Sequence, residues 1–369
     1  MTSPAELPAE VAATVVICVY TGQRWDDIVA AVDSVRSQDV AAAEVLVVVD
    51  HNPDLLERAR HALSSSGDAP VRVLPNTRRQ GLSGARNTAV AAATGDVVVF
   101  LDDDAAARPG WLAALLAPYA DPQVVAVGGV AHPRFPAARP GLLPSGGTGA
   151  DATGELDWIV GCTYTGQPTE RSEVRNLMGC NMSLRRSVFA EVGGFAEDLG
   201  RIGRNPLGCE ETELCIRVRQ AYRRGGREAR IVFEPAAQVD HRVGAERVRW
   251  SYLRRRSWSE GLSKAAVARL VGSDDALSTE RSYVATVLPR AVLRELRAGR
   301  PASAAAVLAA LGATTAGYLR GRLPGATSQV RLPAAAPDAS RRSGAAPQAG
   351  APPDAVPAPE WAVRGTGGA

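Results

Sequence analysis

The sequence predicts an α/β fold in which a mostly parallel sheet carries helices on both faces. Over about 130 residues, short β-branched apolar runs alternate with segments whose apolar residues recur at helical spacing, and such runs are typical of fully buried strands. Strands and helices that alternate in this way form parallel sheets, because a parallel connection needs a crossover that is usually a helix. The chain has 369 residues, 46% of them hydrophobic, which is enough for a sizeable core.

The elements of this pattern follow one another in a regular order. The first run, "TVVICVY", is rich in β-branched residues, and Trp25, Ile28 and Val32 after it share one helix face. Pro53 suits the first turn of the second helix. The predicted elements are strand 14–20, helix 24–38, strand 44–50, helix 53–65, strand 71–74, helix 82–94, strand 96–101, a helix after Pro109 and strand 123–130.

Beyond this region the pattern changes. Residues 131–175 are rich in glycine and proline and predict a long loop, whose usual roles are a lid, a binding loop or disorder. Regular patterning resumes at 176–195 and in a helix over 208–221, with short strands at "RIVFEP" and "QVDH". We divide the chain into an N-terminal extension (1–13), an α/β domain (14–245), a basic helical extension (246–322) and a disordered Pro/Ala/Gly-rich tail (323–369).

Composition narrows the range of functions. A net charge of +3 gives no reason to expect a nucleic-acid partner. The five cysteines match no zinc-site spacing, and the N-terminal residues lack the basic and apolar regions of a signal peptide, so we expect reduced thiols and a cytoplasmic protein. The sequence contains neither GxxxxGK[ST] nor GxGxxG, which excludes the common phosphate-loop and dinucleotide fingerprints.

The stretch "VVVFLDDDAA" (97–106) leads an apolar strand into three carboxylates, Asp102, Asp103 and Asp104. Like charges this close repel one another, so we expect a cation beside them. Ligands of open α/β sheets bind beyond the carboxyl ends of the strands, where Asp50 also falls. Carboxylate oxygens suit Mg²⁺ or Mn²⁺, which also bind substrate phosphates. The residues alone leave open a solvated turn or a cap of the next helix, because aspartate is common in turns.

A second acidic motif, "GCEETELCIR", places Glu210, Glu211 and Glu213 in the first turn of a helix. The helix dipole stabilises acids at this position, which is one explanation of the motif. The other is a general base, which requires a carboxylate near an acceptor hydroxyl. His241 ends the strand "QVDH" and is either a metal or phosphate ligand or an ordinary polar residue.

Five of these segments, in this order and spacing, resemble the family 2 glycosyltransferases, which have the GT-A fold. They are "VVICVYTG", "EVLVVVD", "GLSGARNTAVAAATGDVVVFLDDD", "GCNMSLRRSVFAEVGGF" and "GCEETELCIR". The resemblance runs from Thr14 to His241 and implies that 14–245 is a GT-A catalytic domain. It further implies transfer of a sugar from a nucleotide-diphosphate sugar to an acceptor hydroxyl, with Mn²⁺ or Mg²⁺ as cofactor.

The resemblance assigns the metal and diphosphate site to the first acidic motif. Asp104 would be a metal ligand and Asp102 a ribose or metal contact, with Asp103 between them on the nucleotide sugar. His241 matches the family's late histidine and would be a further metal ligand.

The remaining donor and catalytic residues follow from the same resemblance. Thr21 and Asp50, at the ends of the first two strands, would line the nucleoside pocket. Arg86 of "GARN" would contact the pyrophosphate side or order the aspartate loop. Glu211 takes the position of the family's base, and Glu210 is the second candidate.

The sequence departs from the family pattern in two places. The paired acids after the second strand are replaced by "DHNPD", so His51 stands where the second acid would be, and the first strand lacks the usual Pro and Asn around Tyr20. The segments "WIVGCTYTG" and "GCEETELCIR" are similar to a branch that includes lipid-linked sugar and glucuronosyl transferases.

The reaction implied by the resemblance is a single displacement that inverts the anomeric carbon, with a glycan, a polyprenyl-linked sugar or a small molecule as acceptor. Trp158 and Tyr164 would stack on a sugar ring, and Asn181 would bond a hydroxyl. The alternatives are a catalytically inactive sugar-nucleotide-binding protein, which would not need both acidic motifs, and a nucleotidyltransferase. The second would carry a Gly-rich basic loop, which "YTGQRWDD" is not.

The basic extension, 246–322, mixes arginines with Trp250, Tyr252 and Trp258. This composition suits a helix at an anionic membrane surface, a helix that binds a phosphate-bearing acceptor, or a solvated face packed on the domain. Residues 302–319 are uncharged but mostly small, so we expect a packed or surface-bound helix rather than a transmembrane one. Peripheral contact with the inner face of the membrane would suit a polyprenyl-linked acceptor.

Overall fold

The structure is a computed structural model that describes residues 11–66, 69–147, 149, 151–201 and 208–324. These residues belong to one compact unit. The predicted N-terminal extension falls mostly, and the predicted tail almost entirely, outside the described residues. The boundary that the sequence predicts between 245 and 246 stays a prediction.

A single twisted sheet of nine strands forms the centre of the described chain, in the order β3-β2-β1-β4-β8-β6-β9-β5, with β7 paired to β9. β1, β2, β3 and β4 are parallel to one another, as predicted, and the other half of the sheet is mixed. The strands are β1 (Ala13–Val19), β2 (Glu44–Val49), β3 (Val71–Pro75), β4 (Val97–Asp102), β5 (Ala105–Ala107), β6 (Val124–Arg134), β7 (Ser172–Glu173), β8 (Asn181–Arg185) and β9 (Arg230–Arg242).

Helices cover both faces of this sheet, which confirms the predicted α/β class. They are α1 (Trp25–Arg36), α2 (Pro53–Leu63), α3 (Leu82–Ala92), α4 (Trp111–Leu116), α5 (Arg186–Val192), α6 (Glu210–Arg224), α7 (Trp250–Val271), α8 (Ser273–Ala276), α9 (Ser278–Ser282), α10 (Leu288–Arg297) and α11 (Pro301–Arg322). One core layer joins the sheet to Ile28, Leu55 and Trp111. The other joins it to Phe189 and Leu214 on α5 and α6.

Two predicted elements differ in extent from the observed ones. The segments "RIVFEP" and "QVDH" are one strand, β9, because it runs beside β6 through a register shift instead of ending at Pro235. The helix after Pro109 is α4, which is only six residues long and continues as a 3₁₀ turn that contains Pro118.

The C-terminal helices pack on the long segment between β6 and β8 instead of standing apart from the domain. Val307 and Leu288 share an apolar cluster with Leu156 and Ile159 of that segment. α7 and α11 approach so closely that a Cβ on Gly261 would overlap the Thr314 carbonyl. Within the described residues one helix, α11, is long and apolar enough to cross a membrane, with a mean hydropathy of 1.4, and a third of that window is buried.

Candidate active site

The strand order brings the first acidic motif to the carboxyl ends of the parallel strands. Asp102 is the last residue of β4, and β4 lies beside β1 at the centre of the parallel half. Asp103 and Asp104 form the turn from β4 to β5. β5 then pairs antiparallel with β9, so that Ala105 lies opposite His241. This pairing places the late histidine next to the aspartates.

Asp102, Asp104 and His241 form a compact set of potential metal ligands, whose donor atoms all lie within 4.8 Å of one another. The His241 Nε2 atom lies 3.3 Å from Oδ1 of Asp104. Burial lowers the pKa of His241, which favours the neutral imidazole that coordinates metals. Its Nδ1 atom is buried without a hydrogen-bond partner among the described residues.

Two arginines that the sequence analysis did not single out fix the charge of Asp104. Arg24 donates to its Oδ2 atom at 2.7 Å and Arg247 at 3.0 Å. Burial opposes ionisation, but His241, Arg247 and Arg24 hold the pKa of Asp104 well below its usual range. Asp104 is therefore a carboxylate, the form that binds a cation.

Asp103 has a different environment from its neighbours. It is buried and faces Arg24 at 3.1 Å. Burial, with Asp104 and Asp102 nearby, raises its pKa to about 8. Asp103 does not line the large cavity described below, so its assignment to the nucleotide sugar stays a prediction.

Arg86 joins the two acidic motifs. Its side chain is only 2% exposed, and its Nη1 atom donates to Oε1 of Glu210 at 2.9 Å. Its Nη2 atom lies 3.5 Å from Oδ1 of Asp102 and donates to the Gly179 carbonyl at 2.8 Å. A buried charge is tolerated only when it is paired and hydrogen-bonded in this way. Of the two roles expected for Arg86, this geometry matches the ordering of the aspartate loop.

Glu211 is the carboxylate of the pair that no cation of the described residues contacts directly. α6 begins at Glu210, after Cys209 in a left-handed conformation. Arg86 forms an ion pair with Glu210. The one hydrogen-bond partner of Glu211 among the described residues is the Thr212 hydroxyl, at 3.4 Å. Burial and the adjacent Glu210 raise the pKa of Glu211 to about 8. A carboxylate with a raised pKa that faces a cavity has the properties of a general base.

Thr21 and Asp50 lie at the same edge of the sheet, outside the cavity lining. Asp50 is buried and accepts hydrogen bonds from the Asn76 amide at 2.7 Å and the Gly81 backbone at 2.9 Å. His51 Nδ1 lies 2.9 Å from its Oδ1 atom. Thr21 caps a short 3₁₀ turn through a bond from the Gln23 backbone. Their place in a nucleoside pocket stays a prediction.

A cavity of about 680 Å³ extends from the acidic residues to the C-terminal helices. Asp102, Glu210, Glu211 and His241 line one part of it. Trp158 and Tyr164 also line it, and their contact with a sugar ring stays a prediction. The other part is lined by residues of α7, α9 and α11, for which the sequence left open a membrane-bound, an acceptor-binding and a solvated helix.

Asn181 is a structural residue rather than a substrate contact, which corrects the sequence-based expectation. It is fully buried and absent from the cavity lining. Its amide accepts from the Trp111 indole at 2.8 Å and donates to the carbonyls of Val130 at 3.0 Å and Ala237 at 2.9 Å. These bonds use its donors to join β8 to β6 and β9.

Several charged residues of the cavity were missed because no motif marks them. Arg256, Glu260 and Lys264 of α7 line the cavity. Glu280 of α9 also lines it and accepts a hydrogen bond from Arg175, which lies in the segment between β7 and β8. The signal that was available is their spacing, since residues four apart on a helix share one face.

Comparison with known proteins identifies the family. Residues 14–193 match glycosyl transferase family 2. A glucosyl-dolichyl phosphate glucuronosyltransferase of Haloferax volcanii is 33% identical over 265 residues, which span 71% of this chain and 80% of the relative. A pre-mycofactocin glycosyltransferase of Mycobacterium tuberculosis is 32% identical over 175 residues, 46% of this chain and 32% of that protein. A mannosyltransferase of Pyrobaculum calidifontis, solved with GDP-Man and Mn²⁺, shares the fold (TM-score 0.50, 18% identity, 84% of this chain and 90% of that one).

The chain belongs to glycosyl transferase family 2, and its fold is of the GT-A type. It is accordingly a glycosyltransferase, which confirms the resemblance that the five motifs indicated.

Proposed function

We propose that this protein transfers a sugar from a nucleotide-diphosphate donor to a lipid-linked acceptor hydroxyl, with metal assistance and inversion at the anomeric carbon. The observation that supports the proposal is that a potential metal site and Glu211, a carboxylate with no cationic partner among the described residues, border one cavity. Arg86 links the two sets of acids through Asp102 and Glu210. The names of the archaeal relative, which acts on a dolichyl phosphate sugar, and of the mannosyltransferase complex with GDP-Man and Mn²⁺ support the same chemistry.

The residues at the acidic cluster fit a divalent cation. Two carboxylates and a neutral imidazole, with donor atoms within 4.8 Å of one another, suit Mn²⁺ or Mg²⁺. The Nδ1 atom of His241 is buried without a hydrogen-bond partner among the described residues. Asp102, Asp104 and His241 would hold the ion, which when bound neutralises the charge that develops on a departing diphosphate.

Glu211 is the base of the proposed reaction. The acceptor oxygen forms a bond to the anomeric carbon, its proton passes to a Glu211 carboxylate oxygen, and the bond from that carbon to the donor phosphate breaks. One displacement converts an α-linked donor into a β-linked product. Glu210 is held by Arg86 at 2.9 Å, so it acts on Glu211 through its charge rather than on the substrate.

The outer face of α10 and α11 supports contact with an anionic bilayer. Leu308 and Leu319 are 58% and 61% exposed, and eleven residues of α-helix return them to nearly the same side. Leu293 and Leu296 are exposed on α10. Exposed arginines flank these leucines, which is the composition of a helix that lies in a membrane interface. These arginines are Arg290, Arg297, Arg320 and Arg322.

Membrane contact is tested by co-sedimentation with vesicles of phosphatidylcholine alone or with phosphatidylglycerol. We expect binding to the anionic vesicles and its loss in Leu308→Glu/Leu319→Glu. Val40→Glu, at another exposed apolar residue, is the matched control. Equal binding of the control and the double variant would contradict this placement.

The donor site is tested by thermal shift and calorimetry with UDP-, GDP- and dTDP-sugars, each with Mn²⁺ or with EDTA. We expect one nucleotide class to bind in a metal-dependent way and Asp104→Ala to lose that binding. Asp54→Ala, an exposed aspartate on α2, should bind as the wild type does. Binding that survives both EDTA and Asp104→Ala would refute the proposed metal site.

A further inference from the structure

A row of three charged side chains lines the part of the cavity formed by the C-terminal helices. Arg256, Glu260 and Lys264 are spaced four residues apart on α7, which places them on one face of the helix. All three line the cavity. Arg256 Nη1 donates to Glu260 at 2.7 Å, and Lys264 Nζ lies 3.3 Å from the other oxygen of Glu260.

The Arg256 end of the row lies beside Glu210, because a Cβ on Gly208 would be 3.9 Å from Arg256 Nη2 and 4.0 Å from Oε2 of Glu210, and the Lys264 end lies at α9. Cys209, which directly precedes Glu210, donates its thiol to Glu260 at 3.4 Å. At the other end Lys264 donates to Glu280 at 2.6 Å. The row therefore leads away from the carboxylate that would receive the acceptor proton.

Cationic groups exceed acidic ones in this part of the cavity. Arg175 donates to Glu280 at 2.6 and 2.8 Å, so three cations share two carboxylates. The Nε atom of Arg256 is buried without a hydrogen-bond partner among the described residues. A buried donor in this state is stabilised by a ligand that brings an acceptor oxygen.

An apolar surface adjoins the row. Gly261, between Glu260 and Lys264, packs against Thr314 of α11. Leu311 and Val307 lie about one and two turns further along α11 and also line the cavity. The cavity thus presents carboxylates, then cations, then hydrocarbon.

Lys264 is the single lysine among the 42 basic residues of the chain. It is partly buried and lies between two glutamates, at 3.3 and 2.6 Å. An ammonium group has three donors that point in different directions, so it can hold both carboxylates and one further oxygen. The planar fork of arginine is built for two parallel bonds to one partner.

We propose that Arg256 and Lys264 form an anion subsite for a phosphodiester that links the acceptor sugar to a hydrocarbon chain. The subsite rests on the proposed function in one respect, namely that the acceptor hydroxyl lies at Glu211. An acceptor that carries a hydroxyl, an anion and a hydrocarbon in this order matches the order of the three surfaces.

The test is calorimetric binding of three probes to the full chain: octyl glucoside, glucose 1-phosphate and the octyl glucosyl phosphodiester. We expect the phosphodiester to bind at least about tenfold more tightly than the glucoside, and more tightly than glucose 1-phosphate. Arg256→Met and Lys264→Met should reduce the preference over the glucoside to about twofold, whereas Lys264→Arg keeps the charge but not the three divergent donors and should give a value between this and the wild type. Arg254→Met, an exposed arginine of the same helix, should behave as the wild type does.

A purely structural role of the row would give a different result. Lys264→Met would then weaken all three probes equally, which would overturn the proposal, as would a wild type without preference for the phosphodiester. If glucose 1-phosphate bound as tightly as the octyl glucosyl phosphodiester, the assignment of the apolar surface to a hydrocarbon chain would be overturned. If Lys264→Met does not fold, the double variant Lys264→Met/Glu280→Gln replaces it in the binding measurements, because it removes both charges of the Lys264–Glu280 pair together. Nucleotide-sugar binding with Mn²⁺ is measured on the same samples. A wild type that binds no nucleotide sugar but still prefers the phosphodiester over the glucoside would refute the proposed function and leave the subsite standing.

Discussion

The pH dependence of catalysis follows from the environment of Glu211. Burial and the charge of Glu210 raise its pKa to about 8, from an ordinary value of 4.5. A base with this pKa is protonated for most of the time at neutral pH. We therefore expect kcat/KM for the acceptor to increase with pH and to level off only above the pKa of the base.

The size of the effect can be worked out from that value. With a pKa of about 8, roughly one tenth of the protein carries an ionised Glu211 at pH 7. Below pH 7, kcat/KM for the acceptor should fall about tenfold for each unit of decrease in pH. Glu211→Gln should lower kcat by about 10²–10⁴-fold and flatten the profile. Glu210→Gln removes a negative neighbour and should move the rising limb about one pH unit lower.

Stability provides a second measurement of the same group. Because the pKa is higher in the folded state than in the unfolded chain, the folded protein binds more protons between the two values, so stability falls as pH rises from about 4.5 to about 8. Glu211→Gln does not titrate. It should therefore exceed the wild type in unfolding free energy by up to about 4 kcal/mol at pH 8, and the difference should shrink toward pH 5.

The assay is release of nucleoside diphosphate from pH 5.5 to 9.5 at saturating metal and donor, with urea unfolding at both ends of that range. Glu57→Gln, an exposed glutamate on α2, is the matched control and should reproduce the wild-type profile. A wild-type rate that is flat from pH 5.5 to 8, or a Glu210→Gln limb that moves to higher pH, would refute the reasoning.

Three further predictions test other parts of the structure. His241→Ala should weaken Mn²⁺ binding by roughly tenfold or more in a titration with donor present, and unchanged affinity would remove His241 from the site. Arg86→Met leaves the carboxylates of Glu210 and Asp102 without their cation and should lower the unfolding free energy, measured in urea, by about 3–5 kcal/mol. Arg86→Lys should lose less, and a loss below about 1 kcal/mol in Arg86→Met would count against the ion pairs of Arg86. Gly261→Ala should lower the melting temperature because α7 and α11 must separate, whereas Gly312→Ala meets no atom within 4 Å and should not; equal melting would contradict the close packing.

Much of the catalytic half was predictable because its signals are local. The run "VVVFLDDD" contains both the strand and the acids at its end, and α6 is marked by acids before an apolar face. The parallel order of β1, β2, β3 and β4 follows from the same alternation. These features depend on residues that are neighbours in the sequence.

The partners of the acids depend on distant residues and could not be predicted in this way. Arg24 and Arg247 reach Asp104 across 80 and 143 positions of the chain. Asn181 was expected at the substrate because its segment matches a family motif, but its bonds to β6 and β9 exist only in the folded sheet.

The role of the C-terminal helices also required the structure. Their arginines suit a solvated or membrane face as well as a cavity wall, and composition does not distinguish these. The spacing of Arg256, Glu260 and Lys264 indicates one helix face but not what that face contacts. In the structure α7 and α11 approach closely at Gly261, and the row lines the cavity, whereas membrane contact of the outer face stays a proposal.

The most direct test of the proposed single displacement is the anomeric configuration of the first transfer product, measured by NMR with the donor class that binds in the presence of Mn²⁺. The account predicts a β-linked sugar from an α-linked donor, formed by the wild type and strongly reduced in Glu211→Gln while donor binding persists. An α-linked product would contradict the account, because retention requires a second displacement or a different attack geometry that a single base at Glu211 does not provide.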